Sequence, residues 1–343
     1  MTSTKFDRDY LFDNYKVLLI FLVVAGHFIE PSYDNNLFLY SLKWIIVSFH
    51  MPAFIFVSGY FSKRKLPFKV LFQKLAVPYL VYEVIYFLFY TFILQKETGL
   101  YLHRPKFSLW YLLALFVWRA ITPYVKKIPH HVALSVAAGL LIGCSNIPGN
   151  YLSIPRILVF YPFFLAGIHF DRSLLTKLKT PRNCLTAVIT LCISLFIALV
   201  PLTMLYSTKI FYGRYNYDYL GQGMIEGIFC RIVCYLIGMI FTYTLLFLIP
   251  ERKLCVSYIG TRTMAIYLFH GLTYNYLKDC TRVLQGINTF SETLFLLMLC
   301  ISLTVLFSSE SLTVFTNKIS NLHFSRLCLH IPAYMYEPKL GYI

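Results

Sequence analysis

Charge is scarce in this chain, and negative charge is scarcest. Only 13% of the 343 residues are Asp, Glu, Lys or Arg, with 15 acidic against 31 basic. A soluble domain of this length would carry about twice that charged fraction, so a water-soluble globule is excluded. Low-complexity linkers and internal repeats are also lacking. The nine cysteines form no CxxC pair and no metal-ligand spacing. Scattered through apolar runs, they read as small hydrophobes, and no metal is expected. No small-residue cleavage site follows the first apolar run, which therefore reads as a retained span rather than a removed signal.

What the sequence has is apolar length. Hydrophobic residues make up 58% of it. Ten stretches approach the roughly 20 residues that a helix needs to cross a bilayer. They lie near 13–33, 37–61, 70–94, 107–125, 131–147, 153–171, 184–205, 221–249, 256–277 and 290–313. The expected fold is an all-α integral membrane protein with about ten transmembrane helices around a buried polar cavity. Residues 1–313 form the membrane domain, and 314–343 a tail whose "FSRLCLHIPAYMYEP" suits a membrane surface or a partly ordered end.

A net charge of +16 could suggest nucleic acid, but its distribution points to the lipid bilayer. With the N-terminus inside, cytoplasmic segments hold 19 Lys and Arg, outer segments 8, and spans 4 (Lys16, Lys43, Arg231 and Arg262). That bias predicts cytoplasmic termini and no nucleic-acid partner. It would also attract an anionic cytoplasmic ligand. One outer loop, 206–223, concentrates Tyr206, Tyr212, Tyr215, Tyr217 and Tyr219. Tyrosine rings suit sugar faces, and an interfacial aromatic belt would enrich them equally.

The stretch "FLVVAGHFIEP" puts His27 about 21 Å inside the membrane at 1.5 Å per residue. By the same measure His50 lies about 16 Å deep, Glu83 about 20 Å, His270 about 21 Å, and Arg231 about 15 Å from the outer face. Five ionisable groups on five spans share one layer. Each would be costly against lipid, so they should face a common interior. Lys16 and His27 are 11 residues apart, which puts them on one helix face about 16 Å apart along the axis. Asp13 shares that face. A cation at the mouth and an imidazole at depth fit a long ligand with an anionic head and a reactive tail. Acyl-coenzyme A is such a ligand; a snorkelling lysine is the plainer reading of Lys16.

These residues resemble the acyltransferase-3 family of bacterial membrane O-acyltransferases, most closely its fucose-4-O-acetylase-like branch. "LFDNYKVLLIFLVVAGH" is similar to the family's first-span motif, and "FHMPAFIFVSGYF" to its second-span signature. "FSLWYLLALFVWR", "RILVFYPFFLAG" and "YIGTRTMAIYLFH" follow in the family's order. The resemblance covers most of the chain. It implies ten or so spans in a bacterial plasma membrane, a cytoplasmic acyl-CoA donor (acetyl-CoA above all), and a glycan or lipid-linked saccharide as acceptor. The shared histidine and basic residue fall on His27 and Lys16. The family usually has arginine at the latter position, and lysine keeps the charge but loses the bidentate fork.

The chemistry assigns candidate roles. A sugar hydroxyl attacking a thioester must lose its proton, and neutral imidazole suits that task, so His27 is the candidate general base. An oxyanion donor is needed, with Arg231, His50 or His270 as candidates. Glu83 could hold an imidazole tautomer or pair with Arg231. Lys16, Lys74 and Arg262 are candidates for the donor's phosphates. Trp110, Tyr215, Tyr217 and Glu30 are candidates for the acceptor. Asp13 could neutralise Lys16 or cap the helix, with capping slightly preferred. The competing readings are a proton-coupled secondary transporter built on the His/Glu/Arg layer, and a non-catalytic scaffold.

Overall fold

The computed structural model describes residues 8–199 and 207–320. It is 75% helix, with no strand among the described residues. The tail sequence "FSRLCLHIPAYMYEP" lies outside them. Helix α1 is Tyr10–Phe28, α2 Leu37–Tyr60, α3 Phe68–Ile93 and α4 Phe107–Val125. Then come α5 His131–Cys144, α6 Ile154–His169, α7 Arg172–Leu178 and α8 Pro181–Leu199. The last four are α9 Met224–Leu248, α10 Thr263–Cys280, α11 Phe290–Phe307 and α12 Glu310–Ser320.

Six helices (α1, α2, α3, α4, α9 and α11) are long and apolar enough to cross a membrane. The α6–α7 pair, bent by 77°, makes a seventh if it is one span. The expectation of ten counted three more stretches. Two of them, α5 and α8, are shorter apolar helices. The third, α10, carries His270, Tyr274, Asn275 and Asp279, which lowers its hydropathy. Much of α10 is buried in protein, so its surroundings do not demand uniform apolarity. The final apolar stretch also ends earlier than expected. Helix α11 stops at Phe307, and α12 packs back on α3 and α10 across the expected domain boundary.

The distribution of side chains is inverted relative to a soluble protein. Phe92, Phe196, Ile225, Phe229, Phe290 and Met298 are exposed, whereas Asp13, Lys16, Lys43, Glu83, Arg231 and His270 are buried. A lipid-facing exterior accounts for the first set, and the second must find partners inside.

Helices α1 and α2 form the centre. They run antiparallel, α1 against α10 and α11, α2 against α6 and α9. The α2–α6 crossing is the tightest. Gly59 lies on the Phe164 carbonyl and Gly167 on the Phe56 carbonyl, with no room for a Cβ at either. Small residues at such a crossing let backbones approach closely, which lipid alone would not drive. Asp9 caps α1, accepting from the Leu11 amide at 3.2 Å. The capping role expected of Asp13 therefore belongs to Asp9. Asp13 instead sits 3.1 Å from Lys16 Nζ and 2.5 Å from Arg8 Nε.

Candidate functional site

The antiparallel pairing brings the C-terminal ends of α1 and α10 beside the N-terminal ends of α2, α4 and α6. A cavity of about 350 Å³ opens there. His27 and Glu30 line it from α1 and the turn after it, and Lys43 and His50 from α2. Helical phase explains the second pair: seven residues is two turns, so Lys43 and His50 share one stripe. Phe107, Ser108 and Trp110 come from α4, Arg156 from α6, and Tyr212 and Arg214 from the 207–223 loop. Tyr274, Asn275 and Lys278 close the wall from α10.

His27 is half-buried, and its ring makes no hydrogen bond among the described residues. Its ring lies 4.6 Å from Phe107, 5.4 Å from His270 and 5.9 Å from Tyr274, centroid to centroid. The two other histidines of the expected layer are more constrained. His50 Nδ1 meets the Ile46 carbonyl at 2.7 Å, and His270 Nδ1 meets the Ile266 carbonyl at 3.1 Å. A carbonyl can only accept, so each Nδ1 carries the hydrogen. In the neutral ring each Nε2 is then a lone pair, which cannot donate to an oxyanion. His270 Nε2 is buried and has no partner.

The rest of the expected layer does not converge. Arg231 donates to the Gly139 and Tyr215 carbonyls at 3.1 and 3.0 Å and lies over the Tyr217 ring. Glu83 accepts from the Lys106 amide at 2.8 Å, with the Lys106 ammonium 4.0 Å away. The two do not pair with each other. Tyr217 packs into the space left by Gly143 and Gly227, and its hydroxyl donates to the Leu140 carbonyl. Tyr215 stacks on Tyr219 at 4.4 Å. Trp110 and Glu30 do line the cavity. Glu30 pairs with Lys43 and accepts from the Tyr212 hydroxyl. Burial, and then the Glu30 charge, push the Tyr212 phenol well above its ordinary value, so it stays a donor. Burial pulls the Lys106 ammonium down, and Glu83 opposes that shift.

Lys16 stands at the opposite end. It lines a small void of about 30 Å³ with Phe54, Ser58, Phe61, Arg119 and Thr263. Beside it lies a cleft of about 180 Å³ carrying Lys63, Arg64, Lys65, Arg119 and Lys126. Ser62 and Arg119 line both. Lys74 lies near Arg119 but lines neither space, and Arg262 is engaged by the Ser308 carbonyl at 2.9 Å. The void and the large cavity therefore lie along one seam between α1, α2, α4 and α10. A septum of side chains separates them. Phe54 meets Tyr111 edge-on at 5.7 Å, Ser58 hydrogen-bonds Tyr111, and Tyr111 meets Tyr267 at 5.6 Å. The Tyr267 hydroxyl donates to the Ser108 carbonyl at the cavity floor.

Sequence reasoning missed the cleft cations and four cavity cations: Lys43, Arg156, Arg214 and Lys278. Arg156 opens the "RILVFYPFFLAG" stretch, where its charge reads as topology. The signal available was its place at a helix start, beside the layer it joins.

A family model described as an acyltransferase domain matches residues 9–309. No curated protein and no solved structure matches.

Proposed function

The chain belongs to the acyltransferase-3 family and is a multi-pass membrane acyltransferase; from that premise we infer that it moves an acyl group from acyl-CoA to a glycan hydroxyl. The observation that carries this reading is the pair of spaces on one seam. One end offers a cleft of five cations, and the other a cavity with imidazoles and aromatic faces. A coenzyme A donor has the matching form, with phosphates on a nucleotide head and a thioester on a long, thin arm. Lys63, Arg64, Lys65, Arg119 and Lys126 suit the phosphates. Lys16 lies between them and the septum, about 16 Å along α1 from His27. The arm reaches the cavity when Phe54 and Tyr111 give way.

In the cavity the acceptor oxygen attacks the thioester carbonyl carbon while His27 takes its proton. The carbon–sulfur bond then breaks, the thiolate leaves, and the imidazolium returns the proton to sulfur. His27 suits the base because it faces open space and no carbonyl holds its ring nitrogens. The oxyanion donor is Lys43 or the Tyr212 hydroxyl, both on the cavity wall. Trp110 and Tyr274 line the space that receives the acceptor. With termini in the cytoplasm, the cleft faces the acyl-CoA pool and the cavity faces outward, as expected for a cell-envelope glycan O-acetyltransferase of the fucose-4-O-acetylase-like kind.

The test is purified protein in lipid nanodiscs given acetyl-CoA labelled in the acetyl group. Release of free coenzyme A, together with label on a bacterial polysaccharide, supports the reading. Movement of label across a proteoliposome membrane with the thioester intact would favour a transporter instead.

A further inference from the structure

The cavity holds more positive charge than its own residues neutralise. Its one carboxylate, Glu30, is taken by Lys43 and Tyr212. Arg156, Arg214 and Lys278 remain, none with an ion pair among the described residues. Arg156 Cζ lies 4.8 Å from the centroid of the Trp110 indole. A guanidinium carries five N–H donors in a planar fork, which suits a bidentate carboxylate or phosphate. Arg214 stands close enough to repel Arg156, and its Nε is buried without a partner. Both guanidinium groups line the same cavity and carry like charge. An anion entering there is attracted by both.

Resting on the reading of this cavity as the acceptor site, we propose that the acceptor is an anionic saccharide. It carries a carboxylate or phosphate close to the acylated hydroxyl, bound by Arg156 and Arg214 over Trp110. The Glu30–Lys43–Tyr212 group beside them carries no net charge and is polar, and it takes uncharged hydroxyls of the ring. His27 lies on the α1 wall, so an anion anchored at Arg156 fixes which hydroxyl reaches the imidazole.

The experiment is equilibrium binding in nanodiscs without donor, read by Trp fluorescence. The probes are tetragalacturonate, the same oligosaccharide with its carboxyls reduced, glucose 1-phosphate, and glucose. The proposal expects one anionic probe to bind about tenfold tighter than its neutral twin. A carboxylate source shows in the first pair and a phosphate source in the second. Arg156→Gln should abolish the preference, Arg156→Lys should keep part of it, and acetyl-CoA binding should be unchanged in both as the check on folding. The proposal is overturned if neither anion outbinds its twin, or if Arg156→Gln keeps the preference. It is overturned too if adenosine 3′,5′-bisphosphate displaces the anionic probe, since the cations would then hold donor phosphates. Because no acyl transfer is measured, failure of the acyltransfer reading appears separately, as acetyl-CoA left uncleaved.

Discussion

Lys16 can be a donor contact, a structural partner of Asp13, or both, and paired substitutions separate these roles. The side chains of Lys16 and Asp13 are 6% and 7% exposed, with Nζ and Oδ1 3.1 Å apart. Arg8, 43% exposed, reaches the other Asp13 oxygen at 2.5 Å. The pair is thus sequestered enough for the buried regime, where removing one partner costs about 3–5 kcal/mol. The two removals differ. Asp13→Ala strands the Lys16 ammonium inside with Arg8 as its nearest charge, and should show that full loss. Lys16→Met leaves Asp13 bound to Arg8, so the loss should be nearer about 1–3 kcal/mol. The double variant carries no stranded charge and should recover much of the Asp13→Ala loss. Unfolding in detergent measures these three values. Equilibrium binding of acetyl-CoA to Lys16→Met supplies the functional half. Loss of one charge-assisted contact predicts roughly 10–100-fold weaker binding, with single-turnover transfer at saturating donor unchanged. If Lys16→Met binds donor normally and destabilises as much as Asp13→Ala, Lys16 serves Asp13 alone and the donor role is wrong.

Three further outcomes follow from the geometry. His27→Ala should lower transfer by about 10²–10⁴-fold with little change in unfolding, because the His27 ring makes no hydrogen bond to lose; transfer at the unaltered rate in this variant would remove it as base. Glu83→Ala should leave the buried Lys106 amide unpaired at a cost of about 1–3 kcal/mol and raise KM for the acceptor, whereas Glu83→Gln keeps an accepting oxygen and should be milder, as thermal unfolding and kinetics would show. Partial burial would raise the Glu251 carboxyl, but hydrogen bonds from Arg172 and Lys179 outweigh it and hold it below the ordinary range; the stabilisation is therefore present above about pH 4.3 and lost as pH falls through the lower folded value, so Glu251→Gln should flatten acid sensitivity in thermal unfolding below about pH 4.

The sequence made the membrane class, the seam on α1 and three of the five deep residues legible. Depth along a helix follows from counting residues, and His27, His50 and His270 share a level and a neighbourhood. Depth says nothing about azimuth relative to other helices, and there the expectation failed. Glu83 and Arg231 lie at the same computed level on helices whose polar faces turn to loops rather than to the cavity. Arg156 and Arg214 were invisible for the converse reason. Both lie near the membrane boundary, where an arginine is ordinary, and only the fold brings them to the cavity wall.

The two residues that left the layer still govern it. Glu83 holds the Lys106 amide, one residue before the helix that supplies Phe107, Ser108 and Trp110. Arg231 holds the Tyr215 carbonyl, one residue past Arg214 and three past Tyr212, while its other arm is fixed to Gly139 on α5. Each therefore uses a charge at membrane depth to pin a loop that would otherwise leave backbone groups unpaired there. A charged pin suits the position better than a neutral one. Hydrogen bonds to a charged group are about twice as strong as neutral ones, and few apolar contacts are available to hold a loop at the boundary. The wall that carries Trp110 and the wall that carries Tyr212 and Arg214 are thereby fixed from outside the cavity. That leaves the inner surface free to present Arg156, Lys278 and His27 to a ligand rather than to the protein.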